Sequence, residues 1–275
     1  MSLFRKNILA TYAAQIVMVI CNFLCAILAA RMLGAGGQGS LALYVSFTAF
    51  VLLFVGVGLP SAVVHYIASN KILKSKIFPI ILSVTLMMVV GFSLFLYLSS
   101  FTNSIEIFLP LFILQNKIWF SILIFHVLLM MLNQYLSSIL QAENHFILAS
   151  IITTIGSMLL LILYSAKYFG FIAVSVLPLH FIIFSMLMVS GILYFLYLTF
   201  IYKKEKQYFS FHTFSFEEIK PMILFSGFAF VANLVQFLSY KMDLWFVNFY
   251  YHSKEMIGVY VLSVSLAQLV WMLPS

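Results

Sequence analysis

Polar side chains recur at helical spacing inside three long apolar segments of this chain, numbered here in chain order as the first, fourth and seventh. The three rows are Asn7, Thr11, Gln15 and Asn22; His126, Asn133, Gln134, Ser137 and Gln141; and Ser226, Asn233, Gln236, Tyr240 and Asp243. Residues three, four and seven apart share one face of a helix. Single members could serve as interhelical hydrogen bonds, worth roughly 0.6 to 2 kcal/mol each. Three such faces on separate segments favour the wall of a hydrophilic cavity, because polar groups facing lipid are costly.

Charged and titratable groups could give such a cavity its chemistry. Lys241 and Asp243 stand near the predicted outer end of the seventh segment, and Arg31 at the outer end of the first. Residues two apart on a helix do not face each other, so each needs its own partner or water. For Lys241 and Arg31, anchoring in the membrane interface and contact with an anion both remain open. His126 and His180, in the outer thirds of two segments, could bind an anion, titrate, or be hydrogen-bonded structural residues.

Catalytic and metal-binding sets are not apparent. Of the seven acidic residues only Asp243 falls within an apolar segment, and no two make a convincing buried pair. The two cysteines, Cys21 and Cys25, do not supply the four ligands of a zinc site. We therefore expect no enzyme activity, no metal and no cofactor.

The elements that must position these groups are membrane helices. Eight stretches of at least twenty residues contain no Asp, Glu, Lys or Arg, and about 20 helical residues cross the roughly 30 Å hydrocarbon core of a bilayer. The chain is 64% hydrophobic and 8% charged, against roughly 25% charged residues in soluble domains. This composition predicts an all-α polytopic membrane protein with about eight transmembrane helices. It excludes a soluble enzyme, and the absence of strict alternation argues against a transmembrane barrel.

The charged residues predict topology rather than a nucleic-acid partner. With the N-terminus inside, the inner segments carry nine Lys and Arg and the outer segments four, which fits the positive-inside rule and a cytoplasmic N-terminus. The hydrophilic stretch from Tyr202 predicts three parts: a six-helix lobe (1–201), a cytoplasmic linker (202–220) and the start of a second lobe (221–275). A chain that stops after two spans of a second lobe is expected to be the N-terminal portion of a longer protein.

Glycine and proline predict the turns within these parts. The cluster from Gly34 to Gly39 predicts a short outer hairpin, and Gly56, Gly58 and Pro60 predict a kink in the second span. Glu143 marks a tight turn between the fourth and fifth spans. The sixth span is predicted to begin at about Phe171, with Pro178 in its outer part. Pro221 is predicted to lie in the first turn of the seventh span. Residues 100–117 are predicted to lie in the interface.

Three stretches resemble one family of membrane proteins. They are Ala30 to Gly39, Gly56 to Ala62 with His65 to Ala68, and Asp243 to Tyr250 with Ile257 to Tyr260. In order and spacing they resemble the flippases of polysaccharide biosynthesis, which belong to the multidrug, oligosaccharidyl-lipid and polysaccharide exporter superfamily. His65 stands where many relatives have arginine, which replaces a permanent charge with a titratable one.

The resemblance implies two six-helix lobes around a central cavity that translocates an undecaprenyl-pyrophosphate-linked oligosaccharide across a bacterial inner membrane by alternating access. It implies membrane lipids as surroundings, and a glycan polymerase or glycosyltransferases of the same pathway as partners. Arg31 and Lys241 are then the candidates for contact with the pyrophosphate. Other readings stay open: a cation-coupled multidrug exporter, which would need carboxylates in the first six spans; a membrane glycan polymerase or ligase, which usually needs a large outer loop; and a scaffold without transport.

Overall fold

The computed structural model describes residues 3–72, 74–99, 117–173, 176–209 and 216–272, and all regular elements in these ranges are helices. They are α1 (Leu3–Gly56), α2 (Leu59–Ala68), α3 (Lys74–Ser99), α4 (Lys117–Ala142), α5 (Phe146–Tyr168), α6 (Pro178–Lys204), a 3-10 helix (Lys206–Phe209), α7 (Phe216–Tyr251) and α8 (Lys254–Met272). The prediction of an all-α polytopic membrane protein is confirmed. The predicted interfacial segment lies outside the described residues, apart from Lys117.

The longest helix, α1, makes two passes. Within the described residues six helices are long and apolar enough to cross a membrane, and α1 is apolar over 46 residues, Thr11–Gly56. At 1.5 Å per residue that is about 69 Å, or twice the thickness of a bilayer core. The chain reverses at Gly34, whose φ of 65° is non-helical, so that Cys25 and Ala29 pack beside Leu41. We call these two antiparallel halves of α1 the first hairpin.

The predicted short hairpin is therefore present, but its predicted extent, from Gly34 to Gly39, is wrong. Only Gly34 leaves the helical conformation, and the other glycines of the cluster lie within the second half of α1. Gly34 needs a positive φ, whereas Gly39 serves close helix packing, described below. The predicted kink in the second span is confirmed as a break at Val57 and Gly58, which have φ of 44° and 69°.

The helices of the predicted six-helix lobe pack around α4, more than half of whose apolar span is buried. Its core contains side chains from the second half of α1 and from α2 to α6, among them the buried tyrosines Tyr44, Tyr135 and Tyr197. A three-residue connection, Glu143 to His145, joins α4 to α5, and Asn144 has a φ of 60°. The predicted tight turn is thus confirmed.

A polar cluster holds the start of the predicted linker against this lobe. Lys74 Nζ lies 2.5 Å from Glu143 Oε1, and the buried Tyr208 hydroxyl donates to the same carboxylate at 2.5 Å. Burial alone would raise the pKa of Glu143, but the hydrogen bonds from Lys74 and Tyr208 outweigh it and lower that pKa. Tyr208 of the predicted linker thus packs against α3 and the connection that follows α4. We call this end of the bundle the loop end, and the end at Gly34 the hairpin end.

Two proline positions differ from the prediction. Helix α6 begins at Pro178 rather than near Phe171, because proline has a fixed φ and no N–H and so suits the first helical position. Helix α7 begins at Phe216, which puts Pro221 inside the helix rather than in its first turn.

The helices α7 and α8 form a second hairpin, turning at His252 and Ser253. It crosses the first hairpin where Gly39 meets Gly258: a Cβ on either glycine would lie 3.1 Å from the backbone nitrogen of the other. The approach is reciprocal, since the Cβ on Gly39 would also collide with the Lys254 carbonyl, and the Cβ on Gly258 with the Ala35 carbonyl. Each carbonyl lies four residues before the opposite glycine, so a local two-fold axis relates the two hairpins at this crossing.

Candidate functional site

A cavity of about 300 Å³, here the hairpin cavity, lies between the two hairpins, with Tyr164 of α5 and Met186 of α6 also in its wall. Gly39 and Gly258, which the two-fold axis relates, are 219 residues apart in the sequence. Many of the residues that line the cavity form pairs with the same separation. The pairs that both line the cavity are Asn22 and Lys241, Cys25 and Leu244, Leu41 and Tyr260, Ala42 and Val261, Val45 and Val264, and Ser46 and Ser265. The cavity therefore lies on the local two-fold axis.

The charges in the hairpin cavity do not obey that symmetry. Lys241 and Asp243 both belong to the second hairpin, whereas the first hairpin contributes neutral groups. The Asp243 carboxylate accepts a hydrogen bond from the Tyr260 hydroxyl and one at 2.7 Å from the Leu244 N–H. Lys241 makes no hydrogen bond or ion pair with any residue in the described part of the chain. A half-buried cation without a partner is expected to attract an anion.

Lys241 is not at the end of its helix. Helix α7 continues for ten residues beyond it, to Tyr251, which is about 15 Å at 1.5 Å per residue. Its two-fold counterpart Asn22 lies at a similar distance from the turn at Gly34. Lys241 therefore lies within the apolar span Ile219–Tyr251, and a charge within such a span points to function.

Two buried groups of the first hairpin also lack partners. Gln38 and Ser46 both line the hairpin cavity and are 8% and 1% exposed. Within the described part of the chain, Gln38 Oε1 and Ser46 Oγ have no hydrogen-bond partner. An unsatisfied buried polar group costs about 1–3 kcal/mol, so both are expected to bind water or a ligand. Neither residue is apparent from the sequence, because Gln38 lies within the glycine cluster predicted as a turn and Ser46 follows it as a single serine. Reading that cluster as helix would have placed both on the cavity side of α1.

A second cavity of about 480 Å³, here the amide cavity, continues towards the loop end. Its polar lining consists of the amides Gln134, Asn233 and Gln236 together with Tyr240 and Lys241. Tyr240 and Lys241 line both cavities, so Lys241 stands where the two meet. Gly58 and Pro60, at the start of α2, complete this wall, and no acidic residue is among its described lining residues.

The predicted polar rows of the first, fourth and seventh spans thus converge only in part. Asn22, Asn233, Gln236, Lys241 and Asp243 line the two cavities. Gln15 is exposed and lines neither.

Other candidates lie in structural positions within the six-helix lobe. The buried Asn133 donates through Nδ2 to the Ser190 carbonyl at 2.8 Å, which is an interhelical hydrogen bond. His126 is buried and its Nδ1 lies 2.9 Å from the Tyr44 hydroxyl, beside a separate, mainly apolar cavity of about 360 Å³. Both therefore have partners of the kind that hold helices together.

The remaining candidates lie on the surface of the bundle. The exposed Arg31 guanidinium donates to the Tyr168 hydroxyl at 3.5 Å and lines neither cavity. The His65 ring stacks on Phe225, with centroids 4.8 Å apart and planes at 12°, so it joins α2 to α7. His180 lies against Trp119, with ring centroids 4.5 Å apart.

Fold and site together define a polytopic membrane protein with a cation-bearing polar cavity between two helical hairpins. A family model described as polysaccharide biosynthesis protein matches residues 4–273, and the chain belongs to that family. A solved structure titled "protein A" is similar in fold, with a TM-score of 0.59 at 15% identity over 98% of this chain and 61% of that one. The chain thus spans less than two thirds of the length of that structure. No curated protein matches the sequence.

Proposed function

We propose that this protein flips an undecaprenyl-pyrophosphate-linked oligosaccharide across a bacterial inner membrane by alternating access, with its N-terminus in the cytoplasm. Membership of the polysaccharide biosynthesis protein family supports the pathway. The observation that carries the mechanism is Lys241, a half-buried cation without a partner in the described residues, at the junction of two cavities. A pyrophosphate would supply the missing counter-charge.

The physical problem is to carry a large polar headgroup through hydrocarbon while its lipid tail stays in the membrane. The two cavities run along α7 and offer amide, hydroxyl and charged groups in place of water. Direct hydrogen bonds of this kind are needed because unsatisfied polar groups are expensive in a low-dielectric interior.

Two close helix contacts flank the cavities along the bundle. At the hairpin end Gly39 packs on Gly258, and towards the loop end Gly58 packs on α7, where a Cβ would lie 2.6 Å from the Phe230 nitrogen. Alternating access requires that each of these two contacts opens while the other stays closed. The glycines suit contacts that must re-form, because backbones without side chains meet over a small, well-defined area.

The proposal is tested by removing the charge of Lys241 in the complete protein. A charge-assisted hydrogen bond contributes about 1.5–3 kcal/mol, so Lys241→Ala should weaken headgroup binding roughly 10- to 100-fold and reduce surface glycan at unchanged protein level. Lys241→Arg keeps the charge and should retain much of the activity. Lys203→Ala, which removes an exposed cation at the end of α6, is the matched control.

The measurements are immunoblotting of the protein in membranes and quantification of surface glycan and of lipid-linked oligosaccharide retained inside. Wild-type glycan in cells that carry Lys241→Ala as the sole copy would refute the role of Lys241. Under the same proposal the protein works beside glycosyltransferases or a glycan polymerase that make and extend its substrate. Copurification with these enzymes from the native membrane would test that partnership.

A further inference from the structure

The two cavities that meet at Lys241 differ in the hydrogen-bonding chemistry of their walls. The hairpin cavity contains the Asp243 carboxylate, the unpartnered Gln38 Oε1 and the unpartnered Ser46 hydroxyl. The amide cavity contains three side-chain amides and, among the described residues that line it, no acidic group. Lys241 is available to both. The two halves of a bound headgroup would therefore meet different surroundings.

A diphosphate fits the amide cavity better than the hairpin cavity. Phosphate oxygens are acceptors only and carry negative charge, so they need donors and are repelled by Asp243. On the amide side, Asn233 and Gln236 offer N–H donors beside the Lys241 ammonium. Gly58 and Pro60 bring the start of α2 to the same wall, and the first N–H groups of a helix that interrupts a membrane span favour negative charge.

A neutral sugar ring fits the hairpin cavity. Sugar hydroxyls donate hydrogen bonds, and the acceptors here include Gln38 Oε1, Ser46 Oγ and the Asp243 carboxylate, whose two oxygens already accept one bond each. Gln38 Oε1 and Ser46 Oγ are buried and have no partner among the described residues, so a ligand hydroxyl or amide N–H would satisfy them. The volume of about 300 Å³ is at the lower limit for ligand cavities, which suits one ring rather than a whole oligosaccharide.

We infer that Gln38, Ser46 and Asp243 form a subsite for the sugar ring attached directly to the diphosphate, while Lys241 and the amides of α7 hold the diphosphate. The inference rests on the proposed function and narrows its substrate class to a diphosphate-linked sugar whose first ring is uncharged. A ring bearing a carboxylate would be repelled by Asp243.

Binding to the complete protein in lipid nanodiscs, measured by isothermal titration calorimetry, tests this assignment with two probes. One is farnesyl diphosphate, and the other is farnesyl diphosphate linked to N-acetylglucosamine. Ser46→Ala and Gln38→Met should each weaken the sugar-bearing probe roughly 2- to 10-fold, the range for a neutral hydrogen bond, and leave the sugar-free probe unchanged. Ser239→Ala is the control, because this exposed hydroxyl bonds its own helix at the Val235 carbonyl.

The outcomes separate the subsite from the function on which it rests. Equal weakening of both probes by Ser46→Ala or Gln38→Met would put the diphosphate in the hairpin cavity and overturn the assignment. If these two variants leave the affinity for both probes unchanged, the assignment is also overturned. If Lys241→Ala leaves both probes at wild-type affinity, the proposed anion site itself fails. Weakening of the sugar-bearing probe alone by the two hairpin variants, with weakening of both probes by Lys241→Ala, supports the inference.

Discussion

The crossing of Gly39 and Gly258 makes a quantitative prediction about how the two hairpins are held. In Gly39→Ala the new Cβ would lie 2.9 Å from the carbonyl carbon of Lys254 and closer still to its oxygen. Ordinary contact begins near 3.4 Å, so the helices must separate by about 0.5 Å to relieve the contact with the carbonyl carbon and by more to relieve that with its oxygen. The obstacle is backbone rather than a movable side chain. Overpacking of this kind costs about 1–3 kcal/mol.

The matched control is Gly227→Ala on α7, where a Cβ would meet nothing within 4 Å. There only the helix propensity changes, by about 1 kcal/mol in favour of alanine. Thermal unfolding in detergent, followed by fluorescence-detected size exclusion, should therefore rank Gly227→Ala at or above wild type and Gly39→Ala below it. Gly258→Ala should resemble Gly39→Ala because the clash is reciprocal.

The double variant of Gly39 and Gly258 sharpens the test. One separation of the helices relieves both clashes, so the double variant should cost about as much as either single variant rather than their sum. If Gly39→Ala unfolds at the temperature of Gly227→Ala, or if the two costs add, the close backbone crossing is refuted.

Three further predictions follow from the remaining contacts. The partners of Glu143 lower the pKa of its carboxyl group. Glu143 should therefore stabilise the protein fully above about pH 4.3, the usual pKa of glutamate, and this contribution should be lost as the pH falls through the lowered pKa. The thermal stability of Glu143→Gln should lack this pH dependence. In a background without native cysteines, Gln236→Cys should react with an aqueous thiol reagent while the buried Asn133→Cys stays protected; the reverse order would refute the amide cavity. Arg31→Ala should reduce surface glycan less than Lys241→Ala, since Arg31 lines neither cavity. An equal loss would show that Arg31 contributes to the binding site.

Several features of the fold follow directly from the sequence. The uncharged segments are long enough to cross a bilayer, and in lipid the backbone must bond within its own segment, so helices were the expected structure. The break at Gly58 and the turn at Glu143 were also predictable. Gly58, two residues before Pro60, interrupts the helix locally, and a connection of three residues at Glu143 forces a tight turn whatever it packs against.

The residues of the site were harder to assign. Helical spacing shows which residues share a face but not what that face contacts, so Asn133 and Gln236 looked alike. Tertiary packing turned Asn133 towards the Ser190 carbonyl and left Gln236 on a cavity wall. Likewise, only the packing of distant helices placed Lys241 where two cavities meet, with no partner among the residues that the structure describes.

The sequence by itself determined that this chain threads a membrane as helices and where most of those helices turn, because charge and backbone chemistry act locally. The tertiary structure alone decided that Gly39 packs on a glycine more than two hundred residues away, and that Gln38 and Ser46 face Lys241 across the resulting cavity. These relations depend on the approach of distant helices, which no local pattern encodes.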